Sequence, residues 1–534
     1  MSELKEYVVT LKYYEDLEAF YEDMETPGGD LYIPNREVDV ALRRPISRST
    51  HYYLTKEEAE LLRNDPRVLS VELTPAELGI IVKPAWVDSS NFWDKSGTNN
   101  ANHKNWGLLR CIEGVQRSNW GSDGTTTQTG TAQANSEGRN VDVVIVDGYI
   151  NPNHPEMAVN SDGTGGTRVI QYNWLQHAVT PGNYFYTSNF TGADNNHGQH
   201  VAGTVAGNRQ GWARKANIYN FYAYSGTDPN GVSELLLYDY IRAWHNSKPV
   251  NPATGRKNPT IVNNSWGYGY SLSISQITRV NHRGINYTTG LTSSFLNSVG
   301  IINDGSLTDT PATYTALEQD QLDAINDGII VVGAAGNEYT KIDVPNGIDY
   351  NNYFIYNYFG TDYVIHYHRG MAPTNGTLGI CVGAIGPTKN EVKASFSNCG
   401  PRIDVYAPGS NIISSVHTGG VVDLRSSGTQ YYTQKYNGTS MASPQVCGVL
   451  ACLLETYPTL SQAQVLNYLN ANSKYNQITD TGGSYTDYTS LQNSANKFLY
   501  YKKERADTGP TWPKLNYLER PAAGRLFPRV RVRR

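Results

Sequence analysis

Five cysteines among 534 residues is a small number, and Cys111, Cys381, Cys399, Cys447 and Cys452 are widely scattered. No set of them has the short spacing of zinc ligands, and an odd count excludes a fully paired disulfide framework. Cys447 and Cys452 fall within an apolar run, where cysteine acts as a small buried hydrophobe. The five are read as structural, with a single disulfide as the alternative, and none as a nucleophile. Charge is also scarce: 17% of residues, with a net charge of −5 that argues against general nucleic-acid binding by the body of the chain. No apolar run reaches the roughly 18 residues needed to span a bilayer, so no membrane span is expected. A chain of 534 residues is long for one domain, and two or more are expected.

What is present centres on Asn437-Gly438-Thr439-Ser440-Met441-Ala442-Ser443-Pro444. It sets a serine between a glycine-containing turn and an apolar run of helical length, Val446 to Leu454. In the first turn of a helix, a serine sits among unsatisfied backbone N–H groups at the positive end of the dipole, a suitable place to form an oxyanion. Pro444 is expected in that first turn, where no intrahelical N–H is lost. A serine hydroxyl is a weak nucleophile and needs a base, itself oriented by an acid. The block from Asn196 to Thr204 offers His197 at a helix start, with Gly198, Ala202 and Ala206 four residues apart on a face that can approach a neighbour closely. Val141 to Asp147 reads as a buried β-branched strand ending on a carboxylate. The chain order is Asp147, His197, Ser440.

These blocks resemble those of the subtilisin-like serine proteases, the subtilases, which carry acid, base and nucleophile in this order. Further matching stretches are His154-Pro155-Glu156, Asn264-Ser265-Trp266-Gly267, Gly333-Ala334-Ala335-Gly336-Asn337, Phe396-Ser397-Asn398 and Asp404 to Gly409. Gly211 to Ala216 is similar to the connection after the histidine helix in the proteinase K-like branch. The resemblance covers roughly residues 104–470. It implies an α/β fold of three layers around a mainly parallel sheet. It also implies a serine endopeptidase that cuts polypeptide substrates through an acyl-enzyme and requires no cofactor for catalysis. Asp147, His197 and Ser440 would form the triad. Asn337 and the Ser440 N–H would form the oxyanion hole. Ser265, Trp266, Gly267, Ala335 and Gly336 would line a groove that pairs with an extended peptide. Carried over from the family, that groove prefers apolar or aromatic side chains, and neither segment holds an acid to favour a basic one. Calcium, common among relatives, would be structural; the chain has many Asp and Asn but no compact calcium-loop signature.

The chain also departs from the family pattern. Gly148 and Tyr149 stand where Ser or Thr and then Gly are usual, Gln199 replaces a usual Thr, and Gln445 and Cys447 replace common residues. None removes a chemically required group.

Residues 1–75 read as a separate small α+β domain. Tyr7 to Lys12 alternates like a strand, Tyr14 to Met24 like one face of a helix, Thr55-Lys56-Glu57-Glu58 is a capping box, and Val68 to Leu73 returns as a strand. This part resembles the ferredoxin-like inhibitory propeptide of subtilases, so the chain's own N-terminal domain would be an intramolecular inhibitor and the chain a self-processed zymogen; a permanent docking domain is the alternative. Residues 76–104 would be a linker holding the cleavage site, 105–500 the catalytic domain with insertions near 268–315 and 340–370, and 501–534 a basic tail. The Tyr-rich second insertion suits a substrate rim, a protein interface or a loop packed by its own aromatics. The arginines between Arg520 and Arg534 would attract an acidic partner or nucleic acid, or serve as a solubilising end. Met1 to Glu6 is charged with no apolar stretch after it, which favours a cytoplasmic or virion-associated protein over a secreted one. A protease fold used as a structural or binding protein, for instance in a virion, and a peptide ligase sharing the acyl-enzyme are the alternative functions.

Overall fold

The computed structural model describes residues 4–27, 33, 38–42, 49–73, 86–88, 105–114, 132–134, 136–171, 196–222, 237–374, 378–387, 391–417, 421–424 and 430–501. Apart from residues 86–88, the linker expected over 76–104 lies outside them, as does the basic tail beyond Tyr501. Described residues up to Leu73 and those from Trp86 onward belong to two separate compact units.

The first unit is a four-stranded antiparallel sheet with two helices. Its spatial order is Val40–Leu42, Ser49–Leu54, Lys5–Leu11, Val68–Leu73. With helices Leu17–Glu25 and Lys56–Leu62 between strands, the chain runs βαββαβ, the ferredoxin-like arrangement. The alternation read in the first strand buries Tyr7, Val9 and Leu11 against Leu17, Phe20 and Met24 of the first helix. The Thr55 hydroxyl accepts from the Glu58 N–H while the Glu58 carboxylate accepts from the Thr55 N–H, so the second helix begins at the expected capping box.

The second unit is built on a nine-stranded sheet. Read across, its order is Lys474–Tyr475, Lys497–Phe498, Val405–Pro408, Ile380–Ile385, Ile330–Ala334, Thr260–Asn264, Asp142–Asp147, Asn217–Tyr222, Val169–Gln171. All neighbours are parallel except the first pair. Both faces are covered, which explains the unbroken apolar strands. Val143, Ile145, Ile261, Ile330 and Val332 join one core with Val201, Ala202, Val205 and Val446, from the helices His197–Ala206 and Thr439–Thr456. Val144, Val146, Val262 and Val331 point the other way, onto Tyr238, Trp244 and Leu317 of Leu237–Ser247 and Thr315–Asn326. The period of two along each strand thus gives three layers. All five cysteines are buried and free.

The two insertions are partly one structure. Ile277–His282 of the first pairs antiparallel with Tyr353–Tyr358 of the second, and with Ile285–Tyr287 and Thr361–His366 they form a four-stranded sheet. That sheet has its own core, including Val280, Leu296, Phe354 and Tyr367. Gly269–Ser273 and Leu307–Pro311 form a separate two-stranded ribbon.

Two buried histidines are held neutral. His200 Nε2–H donates to the carbonyls of Ile412 (2.9 Å) and Gln434 (3.0 Å), and His368 Nδ1–H donates to that of Lys341 (2.7 Å). Burial is the main cause that pushes His200 down to about 3 and His368 to about 4, from an ordinary 6.5. Their contribution is complete above about pH 6.5, where the unfolded chain is also neutral, and is lost as the pH falls towards the folded values. The melting temperature of the second unit should therefore fall steadily from pH 7 to pH 4. A melting temperature flat across that range in calorimetry contradicts this assignment.

Candidate active site

Three adjacent strands deliver their C-terminal ends to one place. Asp142–Asp147 ends on Asp147, Thr260–Asn264 leads into Ser265-Trp266-Gly267, and Ile330–Ala334 leads into Ala335-Gly336-Asn337. In parallel sheets this edge is where ligands bind. His197 opens its helix behind Asn196, which stands in a left-handed conformation. Its Nδ1 lies 2.8 Å and 3.0 Å from the two carboxylate oxygens of buried Asp147. An ionised carboxylate only accepts, so Nδ1 carries the proton and Nε2 presents its lone pair. The Gly148 N–H also donates to Asp147 Oδ1, at 2.7 Å, and helps to fix the carboxylate. The approach requires Gly198: a Cβ there would stand 2.5 Å from the Gly148 carbonyl oxygen.

Ser440 is the second residue of the helix Thr439–Thr456. Pro444 lies in the second turn of that helix and not in the first, because the helix opens at Thr439. The consequence is local. Pro444 has no N–H to return to the carbonyl four residues back, which is that of Ser440. The Ser265 hydroxyl supplies the missing donor at 2.9 Å, while the Ser440 hydroxyl donates to the Ser265 carbonyl at 3.0 Å. Behind this pair, Ser443 Oγ donates to Asn263 Oδ1 (2.7 Å) and Asn263 Nδ2 donates to Ser265 Oγ (2.9 Å).

Asn337 is exposed, and its amide is oriented by partners that leave no ambiguity. Its Oδ1 accepts from the Thr439 N–H (2.9 Å) and the Thr439 hydroxyl (3.0 Å); the first can only donate. The Nδ2 hydrogens therefore face the other way. Thr439 Oγ1 in turn accepts from the Gly336 N–H at 3.1 Å. Gly336 turns the chain at φ +102°, a region other residues avoid. Asn398 fastens the same turn, with Nδ2 donating to the Ala335 carbonyl (2.9 Å) and Oδ1 accepting from the Thr340 N–H (2.8 Å). Trp266 packs against the second core, edge-on to Tyr268 at 6.0 Å.

The departures from the family pattern have structural counterparts. Tyr149 turns into the second core and stacks on Tyr222 at 4.2 Å. Gln199 Nε2 donates to Ser415 Oγ (3.1 Å) and its Oε1 accepts from the Asn151 N–H (2.8 Å). Gln445 Oε1 accepts from the Trp212 indole N–H at 2.7 Å.

The model of the Subtilase family (peptidase S8) matches residues 138–498. The chain belongs to the subtilase family. This is a family of serine-type endopeptidases that need no cofactor for catalysis. Among similar proteins, alkaline serine exoprotease A of Vibrio alginolyticus is 24% identical over 450 residues, covering 84% of this chain and 57% of that protein. Subtilisin DY of Bacillus licheniformis is 28% identical over 337 residues, 63% of this chain and 85% of its own length. An extracellular serine proteinase of a Thermus strain is 26% identical over 428 residues, 80% and 71% respectively. This subtilase thus spans little more than half the length of the first relative.

Four residues at the site escaped sequence reading: Thr439, which holds Asn337, and Asn263, Ser443 and Met371, which lie beneath the groove. A signal existed for one of them, since Ser443 stands one helical turn after Ser440. Among the described residues, no three His, Cys, Asp or Glu side chains converge as around a metal, and no step below passes through one.

Ser265→Ala should destabilise the second unit by about 1 kcal/mol, the net worth of a hydrogen bond lost from a half-buried carbonyl. Denaturant unfolding measures it; a midpoint equal to wild type would show that the Ser440 carbonyl finds another partner.

Proposed function

We propose that this subtilase is a serine endopeptidase of the proteinase K-like branch, with Asp147, His197 and Ser440 as its triad. The observation that carries the reading is the His197–Asp147 hydrogen bond at 2.8 Å, which holds the imidazole with Nδ1 on the acid and so assigns the role of base to Nε2. A bound peptide pairs with Ser265-Trp266-Gly267 and Ala335-Gly336 as an added strand. Ser440 Oγ exchanges its donation to the Ser265 carbonyl for one to His197 Nε2, then attacks the scissile carbonyl as Nε2 takes its proton. The imidazolium is stabilised by Asp147. Asn337 Nδ2 and the Ser440 N–H, free at a helix start, receive the oxyanion. His197 then protonates the leaving amine, and water repeats the sequence on the acyl-enzyme.

Ser440→Ala should lower kcat for peptide hydrolysis by several orders of magnitude with an unchanged melting curve. Adding His197→Ala to it should cost little more, because the triad acts as a unit. Turnover near wild type in Ser440→Ala sinks the mechanism.

We further propose that the first unit is an inhibitory propeptide. Its βαββαβ arrangement and independent core support this, as does its resemblance to subtilase propeptides. Tethering raises the local concentration of the connecting segment to about millimolar, so that even a poor site is cut. Active protein should then lose its first unit by cleavage between residues 74 and 105, while Ser440→Ala stays whole. N-terminal sequencing decides it: active protein that keeps Met1 makes the first unit a docking domain.

A further inference from the structure

Beside Asn337 opens a pocket of about 720 Å³ whose outer wall is the inserted ribbon of Gly269–Ser273 and Leu307–Pro311. Three acidic residues line it, Asp304, Asp309 and Glu338, and no Lys, Arg or His does. Asp304 Oδ1 accepts from the N–H groups of Ser306 (2.8 Å) and Leu307 (2.7 Å), which favours its ionised form. Burial pushes the Glu338 carboxyl up, and the charge of Asp309 pushes it the same way, so the two acids repel across the pocket. Tyr268, Tyr270, Tyr339 and Tyr488 supply aromatic surface, with Tyr339 and Tyr488 in contact at 5.1 Å.

A second observation directs a substrate side chain here. The space between the two groove segments is filled by Met371, which is buried. Its Sδ lies 2.4 Å from where a Cβ on Gly267 would be, and 3.2 Å from the equivalent point on Gly336. The slot that would hold an apolar group directly between those segments is therefore closed at its floor. The ribbon pocket is an open volume that borders Asn337.

We propose that this pocket binds the side chain of the residue contributing the scissile carbonyl, and that Asp304 and Asp309 select a lysine or arginine there. A long aliphatic stem would lie along the tyrosines, with the cation between the carboxylates and over an aromatic face. This rests on the peptidase reading above and replaces the apolar preference carried over from the family. Asp304 and Asp309 are specificity residues supplied by the insertion; neither touches the reacting atoms.

The test uses the full chain and two peptides that differ only in lysine or its uncharged counterpart norleucine before the cut. Wild type should favour lysine by about tenfold in kcat/KM, and less in high salt. In Asp304→Asn/Asp309→Asn, which keeps the Asp304 side-chain oxygen that accepts from Ser306 and Leu307, the ratio should fall to within about threefold, chiefly through slower cleavage of the lysine peptide. Equal cutting of both peptides by wild type, or a ratio untouched by the double substitution, overturns the proposal while leaving the peptidase reading intact. If neither peptide is cut, that reading fails, and calorimetry with Ser440→Ala judges the pocket alone. Tighter binding of the lysine peptide, lost on adding the two asparagines, sustains the pocket; equal binding of both peptides overturns it.

Discussion

The carbonyl oxygen of Ser440 is the point on which the site depends. Pro444 cannot bond to it, so a half-buried acceptor at the start of the nucleophile helix takes its donor from outside the helix. Ser265 provides that donor, and Ser265 belongs to the strand exit where a peptide would pair. One missing N–H therefore ties the nucleophile to the substrate-binding strand. The chain of Ser443, Asn263 and Ser265 behind it is satisfied at each link, which favours one arrangement over loosely related ones.

The remaining geometry follows from close approach. Parallel strands buried on both faces set Asp147, Ser265 and Ala335 side by side at one edge of the sheet, and the helices above must come near enough for side chains to meet. Gly198 against Gly148 permits this for His197. Gly448 permits it for the nucleophile helix, where a Cβ would lie 2.9 Å from the Val205 carbonyl oxygen. The small residues spaced along the histidine helix are thus part of the chemistry's support, because they set the distance between base and acid.

Much of this was legible in the sequence because it is local. A β-branched run ending in Asp147, a helix start at His197 and a Gly-Thr-Ser turn each announce their backbone, and the fold class follows from strands apolar on both faces. Ser440 stands in the first helical turn as expected, whereas Pro444 was expected in that turn and lies in the second, since a proline tolerated at the first turn can equally sit deeper when another side chain satisfies the freed carbonyl. Pairing of the two insertions was not legible: Ile277–His282 and Tyr353–Tyr358 are far apart in the chain, and neither carries a signal for its partner. The same is true of the acidic pocket. Asp304 and Asp309 come from the insertion and Glu338 from the segment after Asn337, and the two motif stretches beside Asn337 hold no charge of their own.

The central claim is that Ser440 is an activated nucleophile, and active-site labelling addresses it most directly. The intact chain would be incubated with a fluorophosphonate and weighed by mass spectrometry, with the modified peptide then sequenced. The account requires one adduct per chain, on Ser440, abolished in His197→Ala. Absence of an adduct, or an adduct on another serine, would contradict it.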